Sequence, residues 1–149
     1  MFLIDTVTLS ELRRRERNPM VVAWFERQRT ADLFLSVISI GEIERGIVRQ
    51  RAIDPAFADA LAAWLDRVLT LYGERVVPFD LGTARRWGAL SAALGNDSAD
   101  LMIAATALEH GFTVVTRNVS DFEPTGVVVL DPFRRRPRPK AQKAARRAG

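Results

Sequence analysis

The chain has 149 residues, 48% of them apolar, with 22 Lys+Arg against 18 Asp+Glu, a size and composition that suit one domain with a substantial core. It has no cysteine and one histidine, which excludes a disulfide framework, a thiolate nucleophile and the Cys/His ligand sets of zinc sites. The opening MFLID is not a signal peptide, and no apolar run nears the roughly 18–20 residues that span a bilayer, so a soluble, cytoplasmic protein is expected.

Residues 2–6 (FLIDT) are an apolar run that ends in polarity and predict a buried strand. Thr8-x-x-Glu11 has the form of a capping box, predicting a helix from about Leu9 to Arg17. Asn18-Pro19 reads as an N-cap followed by proline at the first helical position, opening a helix to about Arg29. Residues 33–38 (LFLSVI) predict a second strand, and Ser39-x-x-Glu42 a second capping box, with a helix to about Arg51. Asp54-Pro55 starts a longer helix with Phe57, Leu61, Trp64, Leu65 and Val68 on one face, ended by Gly73. A short strand is expected over 75–79. Asp80 caps a helix that Gly95-Asn96 breaks, and the very apolar stretch from Ser98 to His110 predicts a central helix ended by Gly111. Strands over 112–116 and 126–130 complete the body.

The last 16 residues change character. Residues 134–149 hold 8 of the 22 basic residues and none of the acids, leaving residues 1–133 with 14 bases against 18 acids, a net of −4. A domain over 1–133 and a disordered basic tail over 134–149 are expected. The tail would either hold RNA or an acidic partner electrostatically or serve only as a solubilising appendage. Both lysines of the chain lie in it.

Strand–helix alternation along the body predicts an α/β fold, a three-layer α/β/α sandwich with a mainly parallel sheet, in which sites form at the carboxyl ends of the strands. Four acids fall there. Asp5 ends the first strand; it could cap the next helix, but Thr8 already offers a cap, and a carboxylate at a buried strand end must be paired, protonated or metal-bound. Glu42 has a simple reading as a capping-box glutamate. Asp100 lies in the first turn of the apolar helix, where a dipole contact alone would account for it; Asp97 is the expected cap and Asp100 the expected ligand. Asp121 follows the fourth strand and suits an Asx turn. Together they form a carboxylate cluster that repels itself unless cations occupy it, and such hard oxygen donors suit Mg²⁺ or Mn²⁺. Phosphodiester hydrolysis is the natural chemistry of that set. No Gly-rich phosphate loop is present, so no nucleotide cofactor is indicated.

The stretches FLIDT-x-x-x-S-E (2–11), S-x-x-S-I-G-E-I-x-x-G-I (36–47), D-L-M-I-A-A-T-A-L-E-H-G (100–111), T-R-N-V-S-D-F (116–122) and V-V-V-L-D-P-F (127–133), in this order and spacing, resemble the PIN-domain family, and within it the VapC-type toxins of bacterial toxin–antitoxin pairs. The resemblance implies a metal-dependent endoribonuclease whose acidic site is Asp5, Glu42, Asp100 and Asp121, all metal ligands or catalytic groups, with Thr116 matching a supporting polar residue. It further implies a homodimer, an antitoxin partner that assembles with it into a heterotetramer or larger complex, and a structured, tRNA-like RNA substrate. The basic tail is not part of the shared pattern.

Two other readings compete. A phosphatase or receiver domain would also place an aspartate at a strand end, but it needs a domain lysine, which residues 1–133 lack, and the phosphatase needs a second acid where Val7 stands. A non-catalytic RNA- or partner-binding protein would have no use for clustered carboxylates.

Overall fold

A computed structural model describes residues 1–135. The elements run β1 (Phe2–Ile4), α1 (Thr6–Glu11), α2 (Pro19–Glu26), β2 (Leu33–Ser36), α3 (Val37–Arg51), α4 (Pro55–Tyr72), β3 (Val76–Val77), α5 (Leu81–Leu94), α6 (Ala99–His110), β4 (Thr113–Val115), α7 (Val119–Phe122) and β5 (Val129–Leu130). The strands form one sheet in the order β3-β2-β1-β4-β5, and all four pairings are parallel.

Alternation along the strands divides the core. Ile4, Leu33, Leu35 and Val115 face one layer, where they pack with Leu9, Trp24, Ile43, Ile47, Leu65 and Tyr72 of α1 to α4. Leu3 and Val114 face the other, against Ile103, Ala104 and Ala107 of α6 and Phe122 of α7. This is the expected α/β/α sandwich. Leu3, Ile4, Val114 and Val115 are fully buried, and each such side chain contributes about 1.5–3 kcal/mol. The small residues of α6 let that helix lie close to the sheet.

Helix ends follow the sequence at most positions. Asn18 accepts from the N–H groups of Met20 and Val21 with Pro19 at the first position of α2. Asp54 caps α4 and Asp80 caps α5. Gly95 and Gly111 close α5 and α6 in the left-handed region, φ +69° at both, where a side chain would be strained.

Three expectations are corrected. Neither capping box forms. Asp5 itself caps α1, its Oδ1 accepting from Thr8 N–H at 2.8 Å, so α1 starts three residues earlier than expected and ends at Glu11. Glu11 points instead into the following loop, where its Oε1 accepts from Asn18 N–H at 2.8 Å. In the same way Ser36 caps α3 through Ile38 N–H, so the second strand ends at Ser36 and Glu42 sits one turn deeper in the helix. Finally, Ser98 rather than Asp97 caps α6, and Asn96 Oδ1 accepts from Ser98 N–H at 3.1 Å. The tail expected over 134–149 falls, for residues 136–149, outside the described residues; Arg134 pairs with Asp131 at 3.2 Å.

Candidate active site

The carboxyl end of β1 carries Asp5, and the carboxyl end of the neighbouring β4 leads into Thr116. Asp5 is 2% exposed and Thr116 is fully buried. Thr116 Oγ1 donates to Asp5 Oδ2 at 2.5 Å, and the same hydroxyl oxygen accepts from Asn118 N–H at 2.9 Å. With Thr8 N–H on Oδ1, both oxygens of Asp5 are fixed by donors from two separate elements. Asp5 therefore caps α1 with one oxygen and accepts from the Thr116 hydroxyl with the other.

Glu42 reaches the same end of the sheet from the first half of α3. Thr6 Oγ1 lies 2.7 Å from Glu42 Oε1 and 2.9 Å from Ser39 Oγ. A hydroxyl has one proton, so Thr6 donates to the carboxylate and accepts from the fully buried Ser39. Thr6 and Ser39 were not among the expected site residues; Ser39 was spent on a cap it does not make. Arg45 stands 4.0 Å from the other oxygen of Glu42.

Asp100, half-buried in the first turn of α6, and Asp121, exposed on α7, complete the set. Burial pushes the Asp100 carboxyl up to about 6, and the charges of Asp121, Asp5 and Glu42 add to the rise. All three other acids thus contribute to the field at Asp100. Burial also raises Asp5; the Thr116 hydroxyl and the Thr8 N–H pull it back, and Glu42 adds to the rise. Among the described residues, no basic side chain lies within 4 Å of Asp5, Asp100 or Asp121. Of the four acids, only Glu42 thus has a basic side chain within 4 Å among the described residues.

Their chemistry fits a hard divalent cation, since the set is all oxygen and its two inner members resist ionisation without positive charge nearby. Their positions are more open than a closed ligand shell. Among the described residues, no three acidic or histidine side chains stand close enough to hold one ion as they are placed. His110 is not part of the site; it ends α6 and stacks on Phe112 at 5.5 Å. Cavity size does not locate the site either. A cavity of about 780 Å³ lies between α2 and residues 130–135, lined by Trp24, Arg27, Leu130 and Arg134 among others, and none of the four carboxylates borders it.

The family model for the PIN domain matches residues 2–124. The chain belongs to the PIN-domain family. It is similar to a plasmid stability protein, StbB, of Pseudomonas syringae, 36% identical over 141 residues that cover 89% of this chain and 99% of that protein. It is 35% identical over 143 residues to a VapC ribonuclease of Sinorhizobium fredii, covering 89% of this chain and 98% of the relative. A crystal structure of FitAcB from Neisseria gonorrhoeae superposes with a TM-score of 0.79 at 32% identity, over 89% of this chain and 99% of that one. The matched PIN segment contains all five expected site residues, Asp5, Glu42, Asp100, Thr116 and Asp121.

Thr116→Val tests the support given to Asp5. Valine has the same shape but leaves Asp5 Oδ2 without its donor and Asn118 N–H without its acceptor. The expected cost is about 1–3 kcal/mol of stability, with Thr116→Ser near wild type in a urea titration. A Val variant as stable as the Ser variant would show that the 2.5 Å contact carries no weight.

Proposed function

We propose that the protein is a metal-dependent endoribonuclease, the toxin of a toxin–antitoxin pair, and that Asp5, Glu42, Asp100 and Asp121 hold the metal. The observation that carries this reading is the placement of Asp5, Glu42, Asp100 and Asp121 at the carboxyl-end side of one parallel sheet, where the charges of three of them act on the fourth. Similarity to a VapC ribonuclease over nearly the full length of both chains supports the choice of RNA.

The residues divide the work. Asp5 is the fixed point, since both of its oxygens are already oriented by Thr8 and Thr116. Glu42 is aimed by the Thr6 hydroxyl. Asp100 and Asp121 are less constrained and would draw inward toward Asp5 to complete the shell. Without a cation, Asp100 takes up a proton on its carboxylate near pH 6. A bound Mg²⁺ or Mn²⁺ supplies Lewis acidity toward a phosphodiester and toward water. Structured, tRNA-like RNA is the proposed substrate, and an antitoxin protein and a second copy of this chain are the proposed partners. Among the described residues no helix is long and apolar enough to cross a membrane.

The test is cleavage of total RNA by the purified chain in Mg²⁺, in Mn²⁺ and in EDTA, beside Glu42→Gln. Discrete fragments that require metal and are lost in the variant are expected. RNA bound tightly, unchanged by EDTA and never cut, would instead establish the non-catalytic reading.

A further inference from the structure

One buried charge takes no part in the site. Glu11, 7% exposed at the end of α1, accepts from Asn18 N–H at 2.8 Å through Oε1 and pairs with Arg14 at 3.2 Å through Oε2. Those contacts close the loop 12–17 at its base. Asn18 in turn caps α2, and the N–H groups of Leu12, Arg13 and Arg14 bond back to Leu9, Ser10 and Glu11, each at 3.2 Å. The loop backbone is therefore tied at both ends and along its first half.

The tied segment reads Arg13-Arg14-Arg15-Glu16-Arg17. Four arginines in five positions stand out in a body whose net charge is −4. All five residues are exposed. Arg14 is engaged with Glu11, and Arg13 lies over the Phe57 ring at 5.4 Å. Arg15 and Arg17 form no ion pair among the described residues.

The loop stands one short helix from the carboxylate site. It leaves α1, which Asp5 caps and which is six residues long, about 9 Å at 1.5 Å per residue. The field of Arg117 reaches Glu11, and Arg117 directly follows Thr116, which touches Asp5. An RNA strand approaching four carboxylates, of which only Glu42 has a basic side chain within 4 Å among the described residues, meets repulsion. A fixed arginine loop one short helix away supplies the opposing attraction, and guanidinium groups suit phosphate oxygens geometrically.

We propose that loop 12–17, locked by Glu11, is the phosphate-backbone grip for the RNA substrate, with Arg15 and Arg17 as its phosphate contacts. This rests on the nuclease reading above and names the residues that hold its substrate.

The test compares Arg15→Ala/Arg17→Ala with Arg49→Ala/Arg67→Ala in the full chain. The control pair removes the same charge from exposed positions in the last turn of α3 and on α4. Binding of a labelled RNA hairpin with single-stranded flanks is titrated across salt concentrations in an Asp100→Asn background, and KM and kcat are measured without that change. For the loop pair, the slope of log K against log salt is expected to fall by about 2, roughly one per lost phosphate contact. KM should rise about tenfold with kcat within twofold, while the control pair stays near wild type. Arg15→Lys/Arg17→Lys should restore most of the slope. Equal slopes and KM values in the two pairs would overturn the proposal, as would binding of an acidic protein partner weakened with RNA binding untouched. Should the wild-type chain cut no RNA, the nuclease reading fails, and the salt slopes alone still decide whether this loop grips RNA.

Discussion

Asp100→Asn is expected to abolish RNA cleavage and, at neutral pH, to make the protein more stable. The loss follows from removing one carboxylate of the proposed metal set. Taking about 4 kcal/mol as the loss of Lewis-acid stabilisation, a 1.36 kcal/mol step per decade gives a fall on the order of 10³-fold. The gain follows from the same field. The folded Asp100 carboxyl titrates at about 6 against an ordinary 3.8, first because of burial and then because of Asp121, Asp5 and Glu42. A raised folded value means the group favours folding fully only below the ordinary value, and that contribution is lost as pH rises through about 6. Since the group is half-exposed, solvent screening reduces the penalty at pH 7 to about 1–2 kcal/mol. The variant should therefore melt a few degrees higher than wild type at pH 7, and the two should converge as pH falls toward 4. Added Mn²⁺ should raise the wild-type melting temperature more than that of the variant. A variant less stable than wild type at pH 7, or a difference that ignores pH, would contradict the electrostatic account of this site.

Phe122→Ala should have the largest effect on stability. Phe122 is fully buried and packs in the cluster formed by Leu3, Ile103, Ala104, Ala107, Val114 and Val127. Truncation of such a ring costs about 3–5 kcal/mol through lost transfer energy and the cavity left behind. For a domain of this length that lowers the melting temperature by roughly 6–20 °C at about 2–4 °C per kcal/mol. The change also reaches the site. Phe122 is the last residue of α7, a four-residue helix that carries Asp121 beside it, and a helix this short depends on packing for its position. Phe122→Leu should recover most of the stability, and its activity should track the recovery. Full activity in a folded Phe122→Ala protein would show that Asp121 does not rely on this anchor.

Much of this was legible in the chain. Strand–helix alternation identifies the sandwich, and Asn18-Pro19, Asp54-Pro55, Asp80, Gly95 and Gly111 mark helix ends where the structure has them. The four acids could be selected because each follows the carboxyl end of a strand or opens a helix there. The errors share one cause. The pattern Ser/Thr-x-x-Glu predicts a cap only if the chain has not already turned. At Asp5 and Ser36 it had, because each of those residues caps its helix directly from the strand end. Glu11 was then free to clamp a loop, and Glu42 to accept from Thr6. Those partners come from contacts across the fold, with Thr6 and Glu42 36 positions apart, and no local pattern announces them. The same holds for Asp97, where Ser98 is one residue better placed to reach Leu101 N–H.

The contact between Thr116 and Asp5 joins residues 111 positions apart, and this has a consequence in time. While the chain is being made on the ribosome, Asp5 and Glu42 emerge early, but β4, α6 and α7 come last. At about 5–20 residues per second, roughly 4–16 s separate synthesis of Glu42 from that of Asp121. For most of that interval, until Asp100 is added, the nascent protein has half of its acidic set and no β4 beside β1. On the proposed function, the nascent chain would thus spare the transcript it is being read from until nearly the whole body has been translated. Premature stop codons anywhere before Asp121 should be silent for the same reason.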